Sequence, residues 1–180
     1  MGVDRATHLV EQLLTLARLD PAAAANEFVP VNLSVLLANV IADVAPLAHA
    51  KNIDIGMVEG QGCMLSGNGS ALAVLIRNLL DNAIRYTPVD GTIDAMVVNG
   101  DDRLVLTVSD NGPGIVEEQR ERVLERFYRV GTEGAAPGCG LGLSIVKRIA
   151  ELHNATILLD KPDSGSGLRV TITFFKHGAP

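Results

Sequence analysis

One stretch, Ala71 to Tyr86, constrains the rest of the chain. Its apolar residues Leu72, Leu75, Ile76, Leu79, Leu80 and Ala83 recur at helical spacing and make one buried face. Pro88 stops it. Asn78 and Asn82 lie four apart, so a helix sets them on one side a turn from each other, with Arg85 and Tyr86 about one turn further on. Asparagine is a mediocre helix former that prefers caps and turns, and two of them in mid-helix require a reason. One reading is a solvated face. The other is chemical: a carboxamide oxygen is a hard ligand that can hold a Mg2+ ion, which keeps most of its waters and bridges phosphates.

The 180 residues suffice for one domain with a full core and a short appendage, and 47% apolar content fits an ordinary globular protein. Aromatics are only 3%, with no Trp, so the core must be built from Leu, Val, Ile and Ala. A net charge of −6 and no basic stripe argue against a nucleic-acid surface. Cys63 and Cys139 have no C-x-x-C pairing or histidine partners at metal-ligand spacing, and read as reduced thiols of a cytosolic domain. No apolar run reaches the roughly 18 residues of a membrane span, so no membrane contact is expected of these residues. Met1-Gly2, followed at once by a helical pattern, reads as a piece of a longer chain.

Val3, Ala6, Val10, Leu13 and Ala17 form a short heptad seam over Val3 to Leu19, suited to packing on another helix or on the domain itself. Asp20-Pro21 ends that helix, and the alanine-rich residues 21–27 read as a linker. A strand is expected over Phe28 to Leu33, then a helix over Val35 to Ala50 with Ser34 as N-cap and Pro46 kinking it or shifting its end. Ile53 to Val58 reads as a strand, and Gly60 to Gly69 as a turn-rich connector into the central helix. Beyond Pro88, Thr92 to Val98 and Leu104 to Ser109 read as a hairpin joined across Asn99-Gly100. Residues 112–140 turn polar and glycine-punctuated, a lid-like segment with one short helix around Glu117 to Leu124. Leu141 to His153 is helical, and Ala155 to Asp160 with Leu168 to Phe175 form a closing hairpin. The expected fold is α/β, with helices on one face of a mixed sheet.

Two glycine-rich stretches flank the lid. Asp110-Asn111-Gly112-Pro113-Gly114 follows a strand; it fits a plain turn, and equally a carboxylate at a strand's mouth that accepts a hydrogen bond from a base amino group. Gly138-Cys139-Gly140-Leu141-Gly142-Leu143 runs into a helix, where side-chain-free backbone amides and the helix N-terminus suit phosphate. It fits neither the dinucleotide fingerprint nor a P-loop.

In combination, N-x-x-x-N on a helix, D-x-G-x-G after a strand, an Arg/Phe/Tyr cluster and G-x-G-L-G-L opening a helix resemble the ATP-binding catalytic domain of bacterial two-component sensor histidine kinases. The resemblance runs in order from Phe28 to Phe175. It implies a two-layer α/β sandwich of Bergerat type over residues 28–176, with the lid at about 112–140 and an N-terminal helical appendage. Asn82 then corresponds to the Mg2+ ligand and Asn78 to its phosphate-side support, Arg85 to a phosphate contact where the family often has Lys, and Tyr86 to a pocket wall. Asp110 matches the adenine-binding aspartate, with Gly112 and Gly114 shaping the pocket. Phe127 matches the F box, with Arg129 or Arg126 reaching the terminal phosphate. Gly138, Gly140 and Gly142 match the second glycine box, and Leu141 contacts the nucleotide or anchors the lid.

By the same resemblance, residues 1–20 correspond to the second helix of the dimerisation and phosphoacceptor hairpin, whose first helix is not in this sequence. His8 lacks the acidic residue and Thr-Pro that mark the family's phosphoacceptor, and His49, His153 and His177 have no such context either. His153 is followed by Asn154-Ala155 where many relatives have two glycines. The implied activity is transfer of the γ-phosphate of ATP, with Mg2+, to a histidine outside this sequence, for relay to an aspartate of a response regulator. A homodimer anchored in the inner membrane, with this domain in the cytoplasm, is implied for the full-length protein. Related ATPases place a water-activating glutamate four residues before the metal asparagine; Asn78 stands there, which favours a kinase over an ATP hydrolase. A pseudo-kinase scaffold and an anti-sigma-type serine kinase are the alternative readings.

Overall fold

The computed structural model describes residues 28–58, 60, 62–130, 139–163 and 165–176. The expected helix over Val3 to Leu19, the linker at 21–27, His8, Gly138 and His177 lie outside these residues.

Strand β1 (Val29–Asn32) leads into helix α1 (Leu33–His49), followed by β2 (Asp54–Val58) and β3 (Met64–Gly67). Helix α2 (Gly69–Tyr86), β4 (Thr92–Asn99) and β5 (Arg103–Asp110) come next, then two 3-10 turns at Glu117–Gln119 and Arg122–Leu124. Helix α3 (Gly142–Leu152), β6 (Thr156–Asp160) and β7 (Arg169–Phe175) complete the order. The main sheet runs β2-β4-β5-β7-β6, with β2 parallel to β4 and every other pair antiparallel. β1 and β3 pair separately as an antiparallel ribbon. This is the expected mixed sheet, with α1, α2 and α3 packed together against it.

Alternation along the central strands decides where the core lies. Ile93, Ala95 and Val97 of β4, Leu104 and Leu106 of β5, and Ile172 and Phe174 of β7 are buried, while their neighbours along β4 and β7 are exposed or half-buried. Against them lies the apolar face of α2, with Leu72, Leu75, Ile76 and Leu80 fully buried. Side chains of this size contribute about 1.5–3 kcal/mol each on burial, so the azimuth of α2 is set by packing and its polar residues follow.

Four expectations are corrected. Asn32, not Ser34, caps α1: its Oδ1 accepts from the N–H groups of Ser34 (3.1 Å) and Val35 (3.2 Å), while the Ser34 hydroxyl donates to the Gly60 carbonyl. Helix α1 itself runs through Pro46 to His49, within a residue of its expected end at Ala50. The glycine-rich connector contains β3, whose Leu65 is buried between exposed Met64 and Ser66. The single lid helix is two 3-10 turns. The central helix also starts earlier, at Gly69, with Asn68 as cap through Oδ1 and the Ala71 N–H (2.9 Å).

His153 ties the helical layer together. Its Nδ1–H donates to the Ile149 carbonyl (2.8 Å), which leaves Nε2 as the acceptor for the Asn68 backbone N–H (3.1 Å) at the cap of α2. The ring stacks on Phe28 at 4.9 Å and meets Phe174 edge-on. Burial pushes the imidazole below its usual pKa, and the Ile149 bond only partly opposes this. Protonation would put a second N–H against that of Asn68. The folded pKa lies below the unfolded value of 6.5, so the stabilisation is present above 6.5 and is lost as pH falls from there through the folded pKa. Urea unfolding is therefore expected to give lower stability at pH 5.5 than at pH 7.5. His153→Leu, which strands the Asn68 N–H, is expected to cost about 1–3 kcal/mol at pH 7.5 and to flatten the dependence.

Candidate functional site

A cavity of about 810 Å3 opens between α2, the end of β5, the lid turns and the start of α3. Asn78 and Asn82 face it from α2. Asn78 is 8% exposed, and its Nδ2 donates to the Val74 carbonyl (2.8 Å) one turn back. The Asn82 carboxamide, half-buried, makes no hydrogen bond among the described residues. Gly142, the first residue of α3, lies against both: a Cβ there would stand 3.0 Å from Asn82 Nδ2 and 3.3 Å from Asn78 Oδ1. Any side chain at 142 would intrude on the asparagines.

Asp110 ends β5 at the opposite wall and is 8% exposed. Its Oδ1 accepts from the N–H groups of Gly112 (2.8 Å) and Leu168 (3.3 Å), and its own N–H donates to the Leu168 carbonyl (2.9 Å). Burial raises the carboxyl's pKa, while the two backbone bonds pull it back down. Both bonds fall on one oxygen, so the carboxylate is fixed in direction. Val108 and Val170, paired across β5 and β7, lie beside it and give the cavity an apolar floor.

α3 begins without a side-chain cap: Leu141 precedes it, fully buried, and the first turn holds no acidic residue. The unclaimed N–H groups and positive end of the helix dipole suit an anion. Arg85 and Tyr86 line the cavity from the last turn of α2, and Gly114, Gly140 and Arg129 complete the predicted residues that reach it.

Two others stand back from it. Gly112 supports the wall from behind, since a Cβ there would meet the Tyr86 carbonyl oxygen at 2.8 Å and Asp110 Oδ1 at 2.9 Å. Phe127 is 64% exposed with φ at +65°, and its N–H donates to the Gly140 carbonyl (2.9 Å). The next residue, Tyr128, lines the cavity instead, with the Arg122 guanidinium 4.5 Å above its ring. Sequence reasoning missed Tyr128, although it lies in the same Arg-Phe-Tyr-Arg run. It missed Val170 because strand pairing, not local pattern, brings it in.

The donor set suits a hard cation held largely by its own waters and by a ligand's oxygens. Among the described residues no group of three or more His, Cys, Asp or Glu could hold an ion. A single hard carboxamide oxygen fits Mg2+, which takes few protein ligands and completes its shell with water and phosphate.

Gly167 locks the floor in place. It has φ at +110°, and a Cβ there would lie 1.7 Å from the Asp110 carbonyl oxygen. Gly114 approaches it in turn, within 2.4 Å of its carbonyl oxygen by the same measure. Gly167→Ala is expected to cost more than about 2 kcal/mol, read as a fall in melting temperature of roughly 5 °C or more.

The family model described as histidine kinase-, DNA gyrase B- and HSP90-like ATPase matches residues 67–178. The sensor protein kinase PmrB of Pseudomonas aeruginosa is 41% identical over 171 residues, 95% of this chain and 36% of its own length. The solved cytoplasmic segment of the histidine kinase QseC is 31% identical, with a TM-score of 0.66 over 98% of this chain and 97% of that one. Full-length ShkA, solved with AMPPNP, is 28% identical with a TM-score of 0.79 over 98% of this chain and 37% of that one. The chain spans about a third of the length of the curated relatives it matches. It belongs to the histidine kinase-, DNA gyrase B- and HSP90-like ATPase family, and within that family to the catalytic domains of sensor histidine kinases.

Proposed function

We propose that this domain binds ATP with Mg2+ and presents the γ-phosphate to a histidine elsewhere in the full-length protein, for relay to a response-regulator aspartate. The observation that carries this reading is the meeting, in one cavity, of Asn78, Asn82, Asp110 and the uncapped N-terminus of α3. Residues 28–176 act as the catalytic unit with 112–140 as its lid, residues 21–27 as a linker, and residues 1–20 as part of the dimerisation hairpin. That the structural relative ShkA was solved in complex with AMPPNP supports a nucleotide as the ligand.

Each residue has a task. Asp110 accepts from the adenine amino group, for which its direction is fixed by Gly112 and Leu168, and Val108 and Val170 pack against the base. Tyr86 and Tyr128 wall the cavity. The phosphates lie between α2 and the N–H groups at Gly140, Leu141 and Gly142, and Arg85 and Arg129 neutralise their charge. Asn82 holds Mg2+, and Asn78 supports the same side. A metal held there would supply positive charge against the phosphates. Phe127 anchors the lid through its bond to Gly140. Catalysis is positioning and charge neutralisation, as in phosphoryl transfer generally.

Hydrolysis without an acceptor is disfavoured. The carboxylates lining the cavity, among the described residues, are Asp81 and Asp110. Asp81 pairs with Arg77 at 3.2 Å and Asp110 is held by backbone N–H groups, so neither is poised to take a proton from water. The scaffold and serine-kinase alternatives gain no support from this arrangement of residues. In the full-length protein we place the domain in the cytoplasm of a membrane-anchored homodimer; no helix among the described residues is itself long and apolar enough to cross a membrane.

Calorimetric titration tests the reading. ATP and ADP are expected to bind, Asn82→Ala to abolish the Mg2+-dependent gain, and Asp110→Asn to weaken binding about tenfold or more, as loss of a charge-assisted contact implies. Absence of binding to the folded wild-type chain would sink it.

A further inference from the structure

We propose that Lys51 is a positioning residue for the nucleotide site, acting from outside the cavity on the end of α2; this rests on the function proposed above. A helix leaves its last carbonyls without partners. In α2 the Ala83 carbonyl is taken by the Thr87 N–H (2.9 Å), and the next ones are taken by one side chain. Lys51 Nζ donates to the carbonyls of Ile84 (2.7 Å), Arg85 (3.2 Å) and Thr87 (2.7 Å). An ammonium has three protons, and all three are assigned.

The grip is anchored elsewhere. Lys51 belongs to the turn after α1, its own N–H donating to the Ala48 carbonyl (3.0 Å) and its carbonyl accepting from the Asp90 N–H (3.2 Å). Its positive charge meets the negative end of the α2 dipole. On the other side of the helix end, Gly112 presses against the Tyr86 carbonyl while its N–H holds Asp110. The exit of α2 is thus clasped between Lys51 and the Asp110 turn. Arg85 and Tyr86, the residues of that last turn, both line the cavity. Without Lys51 two adjoining helix carbonyls lose their donor, the turn loosens, and Arg85 no longer holds its direction toward the phosphates.

A residue that only stabilised the fold would lower the melting temperature and leave the folded protein's affinity unchanged. The test is calorimetric titration of the 180-residue chain with AMPPNP and Mg2+, at a temperature where melting curves show each variant fully folded. Lys51→Met is expected to weaken AMPPNP binding about fivefold or more, Lys51→Arg to restore most of it, and Lys51→Met in an Arg85→Ala background to change it less than about twofold. Unchanged affinity in Lys51→Met, or an equal loss in the Arg85→Ala background, overturns the proposal. Should Lys51→Met not fold, Lys51→Gln is read by the same criteria. A folded wild type that binds no AMPPNP overturns the nucleotide reading itself, and leaves Lys51 no site to position.

Discussion

Burial of one face of α2 governs the rest of the site. Leu72, Leu75, Ile76 and Leu80 are sealed against the sheet and neighbouring helices, and that packing fixes the rotation of the helix about its own axis. Asn78 and Asn82 have no freedom to choose where they point. Gly142 closes from α3 to within contact of both, so at its N-terminal end α3 meets the carboxamides of α2 directly. The conflict between helix propensity and these asparagines is resolved at the cavity, where consistency between sequence and fold is expected to yield to function.

The two helix ends at the cavity are treated in opposite ways. At the exit of α2, one lysine satisfies carbonyls that face the interior. At the entry of α3, neither a capping side chain nor an acidic residue engages the first-turn N–H groups. Satisfying a helix end with protein groups makes it rigid, and leaving one open reserves its partial charge for something that arrives. The contrast explains why Arg85 and Tyr86 are held steady while the opposite wall remains receptive.

Much of this was legible in the residues, because periodicity and turn chemistry are local. The central helix, the Asp110 turn and the strands of the main sheet follow from spacing and composition, and most of the cavity-lining positions from the resemblance that the motifs carry in combination. What was not legible depended on competition or on distance. Asn32 and Ser34 both suit an N-cap, and only the backbone decides between them. β3 was hidden by glycines and shows itself only when Leu65 is paired opposite Val31. Tyr128 and Phe127 are adjacent, and a positive φ at Phe127 exchanges which of them faces inward. Lys51 and His153 act across the chain on Arg85 and Asn68, and no local pattern announces such bonds.

The sheet has a single parallel pair, β2 with β4, where Asp54 lies opposite Thr92. Everything between them, β3 and the whole of α2, is looped out as a crossover. Of the antiparallel pairs, β4 with β5 and β6 with β7 close across short turns, whereas β5 with β7 must bridge from Asp110 to Arg169, a longer excursion than the crossover. Loop closure is entropically dearer for the longer excursion, so the two hairpins are the cheap local pairings, and the parallel edge and the β5–β7 seam are the costly ones. The cavity is built from the two costly excursions, α2 coming from inside the crossover and α3 from inside the span between β5 and β7, so each of its helical walls depends on a pairing made far away in sequence.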